Sequence, residues 1–255
     1  MKRWRYETAR DLEQTPFERL RRFPREPDML VYGVRALTAL IIRGLLRVYN
    51  RLEIIGREQL PEDRPIVLVA NHASHLDTIC LLAALPLKKL HRAFPAAAAD
   101  YFFESVPRTW IAAVIVNALP FGRERRARQS LTVCADLLGQ PGTVLIIFPE
   151  GTRSTTGQIQ DFKSGIGALV AGRDVGVFPC YLDGTFRAWP KGSRWPCPAK
   201  VRLIIGEERN YSARSTEKWS IASIAVELQE AVCELEQRER RSRVRRLQGT
   251  QDATD

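Results

Sequence analysis

Pro65-Ile66-Val67-Leu68-Val69-Ala70-Asn71-His72-Ala73-Ser74-His75-Leu76-Asp77 runs from an apolar, β-branched hexapeptide straight into a polar turn holding a histidine and a carboxylate five positions apart. A short run nearly free of polar side chains is the pattern of a strand covered on both faces, as parallel strands in α/β sheets are. His72 therefore falls at a strand end. Thr78 to Leu85 is apolar and is stopped by Pro86, which predicts a helix with Asp77 in its first turn. On one straight helix, residues five apart point about 140° away from each other, so His72 and Asp77 can meet only across a strand-to-helix bend. A histidine there can take a proton from an alcohol. A carboxylate on its other nitrogen would fix the tautomer and stabilise the imidazolium. The same pair also suits a satisfied structural histidine and a helix-start carboxylate, so the block alone leaves both readings open.

A second buried-strand pattern, Thr143-Val144-Leu145-Ile146-Ile147-Phe148, continues as Pro149-Glu150-Gly151-Thr152-Arg153-Ser154. Ligands of α/β sheets bind beyond the carboxyl ends of the strands, and an arginine there can grip a phosphate with two parallel hydrogen bonds. Gly151 lets a backbone approach closely. Amphipathic stretches alternate with the strands, for instance Arg125 to Leu138 closed by Gly139 and Pro141. The fold class expected is α/β, with a mostly parallel central sheet flanked by helices. No internal repeat or long linker divides the 255 residues.

The two blocks together resemble the glycerolipid acyltransferases of the 1-acylglycerol-3-phosphate (lysophosphatidate) acyltransferase family, whose signatures are Asn-His-x-x-x-x-Asp and Pro-Glu-Gly-Thr-Arg. Both are unbroken here, at Asn71–Asp77 and Pro149–Arg153. Two weaker family blocks are Phe121-Gly122-Arg123 and Val177-Phe178-Pro179, and the likeness covers Leu52 to Gly206. The resemblance implies a glycerol-3-phosphate acyltransferase-like fold, with His72 as general base and Asp77 as its orienting partner. The acceptor hydroxyl would attack an acyl thioester without a covalent acyl-enzyme, acyl-CoA or acyl carrier protein serving as co-substrate and no cofactor being needed. Backbone N–H groups of Ala73 to His75 are candidate donors to the developing oxyanion. Phosphate binding is implied for Arg153 and Arg123, grouped with Glu150, Gly151 and Thr152. The Arg123 block departs from the family, since only Gly122 separates Phe121 from Arg123, and Arg125 is the substitute candidate. Glu150 suits either a loop-organising role or a hydrogen bond to the acceptor hydroxyl. Ser74 to Asp77 has the spacing of a helix cap. Lys163 would add positive charge to the site or lie solvated at the surface.

Rival signatures are missing: no Gly-x-Ser-x-Gly elbow, no phosphate loop and no dinucleotide fingerprint. The five cysteines form no Cys-x-x-Cys pair, so no metal site is expected, and their odd, scattered placement suits reduced thiols. A net charge of +10 calls for an acidic partner. With no nucleic-acid motif present, anionic membrane lipid is expected rather than nucleic acid. Leu30 to Tyr49 is long and apolar enough to suggest a membrane span, but Arg35, Arg43 and Arg47 interrupt it. A central arginine is costly in a spanning helix, so an amphipathic helix lying on the bilayer is expected, the alternative being a helix packed on the protein's own core. Ile221 to Leu235 is apolar at helical spacing and leads into Arg238, Arg240, Arg241, Arg243, Arg245 and Arg246.

The organisation expected is therefore 1-50, a basic segment with the membrane-associating helix; 51-210, the acyltransferase domain; and 211-255, a C-terminal helix with a basic tail. The product would be phosphatidate for phospholipid biosynthesis, made at the cytoplasmic face of a membrane by a peripheral or monotopic protein. Another lysophospholipid or lipid alcohol as acceptor, and a non-catalytic basic membrane-binding protein, are the competing readings.

Overall fold

Every residue of Ile66–Ala70 is buried in the computed structural model, which describes residues 29–98, 116–121 and 127–251. The strands are β1 (Glu53–Ile55), β2 (Ile66–Ala70), β3 (Ala93–Ala98), β4 (Leu119–Phe121), β5 (Val144–Ile147), β6 (Gly176–Asp183) and β7 (Arg202–Ile205). The described helices are α1 (Met29–Tyr49), α2 (Leu76–Ala84), α3 (Ala127–Leu138), α4 (Gly165–Val170), α5 (Thr185–Ala188) and α6 (Lys218–Gln251). The seven strands form a single sheet of order β1-β7-β6-β2-β5-β3-β4. β2 lies between β5 and β6, parallel to both, and β3 and β4 continue the parallel part. β7 turns antiparallel against β6, and β1 pairs parallel with β7. The sheet is thus mostly parallel, with two reversed strands at one edge.

Because side chains alternate along a strand, the apolar run of β2 supplies two cores. Val67 and Val69 pack with Leu145, Ile147 and Val177 against α3, α4 and α6. Ile66, Leu68 and Ala70 pack with Ile146, Phe178 and Cys180 against α1 and α2. Since both faces are covered, β2, β5 and β6 need apolar residues at nearly every position, which is why they stand out in the sequence.

α1 packs one side on the protein's own core and leaves an apolar stripe on the other. Arg35, Ala39, Ile42, Arg43 and Leu46 turn toward the protein: Leu46 joins the core, Arg35 Nη2 donates to Asn117 Oδ1 at 3.2 Å, and Arg43 donates to the Leu85 carbonyl. Asn117 in turn donates to the His91 and Ala93 carbonyls at 3.1 Å each, tying the helix to the start of β3. With two of its arginines turned inward, the helix leaves Leu30, Leu37, Ile41, Leu45 and Val48 exposed on the opposite side. At 100° per residue these five fall within an arc of about 80°.

The basic run expected as a tail is instead the continuation of α6, which extends to Gln251. Carboxylates on the same helix support it: Arg240 pairs with Glu236 one turn away, and Arg246 with Glu239 two turns away. Glu239 also pairs with Arg202 of β7, pinning the helix to the sheet edge where β6 ends. Residues 1–28 and 252–255 lie outside the described residues.

α4 and α6 approach so closely that a Cβ built at Gly167 would fall inside the Ile221 carbonyl. Gly167→Ala should therefore force the helices apart and cost about 1–3 kcal/mol. Denaturant unfolding of the two proteins measures this, and an unchanged midpoint would contradict the packing described.

Candidate active site

The chain leaves β2 at Ala70 and wraps its next seven residues around one carboxylate. Asp77, fully buried in the first turn of α2, accepts through Oδ2 from His72 Nδ1 at 2.8 Å and from the backbone N–H groups of Ala73 and Ser74 at 2.7 Å each. Ser74 Oγ accepts the Leu76 N–H at 3.1 Å, so Ser74 and Asp77 cap the helix reciprocally. The strand-to-helix bend thus brings His72 and Asp77 together despite their five-residue separation. The Ala73 and Ser74 N–H groups, considered above as oxyanion donors, are already engaged by this carboxylate. Asn71 is structural: its side-chain amide pairs with the N–H and C=O of Leu182 at 2.8 and 3.2 Å, extending the β2–β6 pairing by one residue.

His72 projects toward the end of β5. Its ring stacks on Phe148, centroids 4.0 Å apart and planes 16° apart. Its backbone N–H donates to Glu150 Oε1 at 2.9 Å and its carbonyl accepts from Ser154 N–H at 2.7 Å. The second block therefore clamps the first from both sides. Glu150, 3% exposed, is turned inward onto backbone N–H groups. Of the two roles considered for it, loop organisation or a hydrogen bond to the acceptor hydroxyl, its contact with the His72 N–H matches the first. Burial raises its carboxyl to about 7, against the opposing effect of the His72 and Gln160 N–H groups.

Gly151 has φ 72° and lies under the Lys163 side chain, close enough that a Cβ would collide with it. Glycine meets both demands here. Gly151 and Thr152 are exposed on the loop. Arg153 reaches back across the bend and hydrogen-bonds His75 Nε2. His75, packed near Trp189 with centroids 5.3 Å apart, is pushed down to about 4 by burial and by the neighbouring guanidinium. It is neutral at physiological pH and free to act as acceptor. This cross-link between the two blocks had no signal in the sequence, where His75 reads as one more polar residue of the turn. Arg123 and Arg125 lie outside the described residues. Among the described residues, no group of three or more His, Cys, Asp or Glu is arranged to hold a metal ion.

The arrangement can do acid-base chemistry next to a bound anion. Asp77 holds Nδ1, which leaves Nε2 of His72 as the nitrogen that exchanges a proton with a bound group, while Arg153 brings a fixed cation to the same bend.

Comparison with known proteins places this geometry in context. The family model described as Acyltransferase matches residues 51–183. A 1-acyl-sn-glycerol-3-phosphate acyltransferase of Chlamydomonas reinhardtii is 32% identical over 160 residues, covering 62% of this chain and 46% of that protein. The chloroplastic 1-acyl-sn-glycerol-3-phosphate acyltransferase LPAT1 of Arabidopsis thaliana is 34% identical over 161 residues, covering 62% of this chain and 43% of that protein. The chain thus spans less than half the length of these two relatives. Among solved structures, the 1-acyl-sn-glycerophosphate acyltransferase PlsC from Thermotoga maritima superposes with a TM-score of 0.60 at 25% identity, covering 80% of this chain and 82% of that one.

The raised Glu150 carboxyl has a consequence for stability. Between its ordinary value near 4.5 and its folded value of about 7, the folded state binds more protons than the unfolded state. Stability therefore falls as pH rises through that window and is level above it. Glu150→Gln, which keeps the acceptor for the His72 N–H, should remove this slope. Denaturant titrations of both proteins between about pH 4.5 and 8 test it, and a wild-type-minus-variant difference independent of pH would count against the buried carboxyl.

Proposed function

This chain belongs to the acyltransferase family, and from that membership we propose that it moves a fatty acyl group from an acyl-CoA or acyl-carrier-protein thioester to the free hydroxyl of lysophosphatidate, giving phosphatidate. The observation that carries the reading is the His72–Asp77 hydrogen bond beside Arg153, joined to it through the bend. Relatives and the solved structure that share this sequence and fold are named for the same acceptor.

Asp77 keeps the His72 proton on Nδ1, so Nε2 takes the proton of the glycerol hydroxyl as that oxygen attacks the thioester carbonyl. The tetrahedral centre collapses, the carbon–sulfur bond breaks, and the thiolate leaves with the proton returned to it or to solvent. The Phe148 ring stacked on His72 restricts its swing, and the Glu150 clamp on the His72 N–H fixes the backbone that carries it. Arg153, held by His75, would grip the acceptor phosphate, with Arg123 as a second cation and Gly151 and Thr152 forming the loop floor. The exposed apolar stripe of α1 supports placement at a membrane surface, where such an acceptor resides; a peripheral or monotopic position at the cytoplasmic face fits this reading.

The decisive experiment incubates wild type and His72→Ala with lysophosphatidate and a long-chain acyl-CoA while thiol release and phosphatidate are followed together. The expected result is coupled appearance of both products in wild type and a loss of about 10²–10⁴-fold or more in kcat for the variant, with circular dichroism unchanged. An inactive wild type with both thioester donors would remove the proposal. Phosphatidate absent but another lysophospholipid acylated would change the acceptor. Asp77→Asn should lower kcat by a comparable factor, since the wrong tautomer is then favoured. His75→Ala should instead raise the KM for lysophosphatidate with little change in kcat, because it releases Arg153 and not the base; a kcat-only effect would show that His75 serves something other than acceptor binding.

A further inference from the structure

Trp195 stands 72% exposed on the loop between α5 and β7, a segment neither family signature includes. The loop itself is built firmly. Trp189 Nε1 donates to the Ser193 carbonyl at 3.0 Å, Ser193 Oγ donates to the Trp195 carbonyl at 3.0 Å, and Cys197 N–H donates to the Ala188 carbonyl at 2.7 Å. Its polar groups are used to hold the backbone while its largest apolar side chain is left outside. At one side the loop touches the catalytic bend: Ser74 Oγ donates to the Trp189 carbonyl at 2.7 Å, and Ser74 bridges Pro190. At the other it touches the membrane-type helix, where Tyr49 Oη donates to the Pro196 carbonyl at 3.1 Å. The apolar stripe of α1 ends at that contact, with Leu45 60%, Val48 81% and Tyr49 43% exposed. Residues 189–200 carry Lys191, Arg194 and Lys200 and no acidic residue.

We propose that the loop Lys191–Pro198 is a second membrane-contacting element, which together with the outward stripe of α1 seats the catalytic bend on the interface of an anionic bilayer. An anionic bilayer offers at one depth what this surface lacks: a hydrocarbon boundary for an indole and an aliphatic stripe, and negative headgroups for the cations between them. Tryptophan and tyrosine favour that boundary because each has an apolar body and one polar atom. The Tyr49–Pro196 contact joins the end of the α1 stripe to the loop that carries Trp195. That loop then reaches the bend through Trp189, so a lipid acceptor would meet the site without leaving the interface. That last consequence rests on the lysophosphatidate reading; the membrane contact itself does not.

The test uses the full chain with vesicles of phosphatidylcholine and phosphatidylglycerol in about equal parts, with and without bromine in the acyl chains. The fluorescence difference between wild type and Trp195→Phe isolates Trp195 from the other four tryptophans of the chain. Brominated vesicles should quench that difference signal strongly, and Arg194→Ser should weaken vesicle binding about five-fold. A difference signal that bromine leaves untouched, with Arg194→Ser binding as tightly as wild type, overturns the proposal. So does unchanged vesicle binding in Trp195→Ser accompanied by loss of turnover with acyl-carrier-protein thioester alone, which would assign the loop to the carrier protein. Quenching and vesicle affinity need no turnover, so a failure of the acyl-transfer reading would be seen separately as an inactive wild type.

Discussion

The site depends on one buried carboxylate. Asp77 has no exposure to solvent, and burying an unpaired charge costs far more than a domain's margin of stability can absorb. Three donors converge on its Oδ2, two backbone N–H groups and the His72 ring. Meeting that demand bends the chain sharply after β2, starts α2 at the right residue and orients the imidazole in one act. The His72–Asp77 geometry is therefore inseparable from the local fold: whatever loosens the carboxylate loosens the helix start and the histidine together.

Around this point the tertiary structure adds ties in three directions. β6 joins through the Asn71 amide, which copies a strand's hydrogen bonding where the strand has ended. β5 joins through Glu150 and Ser154, which take both backbone groups of His72. The loop after α5 joins through Ser74 and Trp189. Parallel order makes this possible, because neighbouring strands that run the same way deliver their carboxyl ends, and the loops after them, to one edge. Arg153 meets His75 only because β2 and β5 are neighbours in that order.

α1 shows how a helix with arginines among apolar residues can serve two surfaces. Arg35 and Arg43 sit on the side that meets the protein, where Asn117 and the Leu85 carbonyl each accept a hydrogen bond from them. Their inward placement leaves an aliphatic stripe outside, while Arg47 stays exposed. The sequence showed that arginines interrupt an apolar helix, but not which side faces its own protein; packing against α2 and Leu46's place in the core decide it.

From the sequence, the buried parallel strands could be read directly, since strands covered on both faces must be apolar throughout. The α2 start followed from the same block, and short-range stereochemistry allowed His72 and Asp77 to meet only at a bend there; that they do meet was implied by the family resemblance and shown by the structure. The inward turn of Glu150, the Arg153–His75 contact, the engagement of the Ala73 and Ser74 N–H groups and the exposed perch of Trp195 were not legible there. The first two join residues 78 positions apart, and no local pattern encodes such a distance. The other two depend on which polar groups the folded neighbours have already used. Local sequence determined which atoms could form a base and an anion grip; the order of strands in the sheet decided which of them meet.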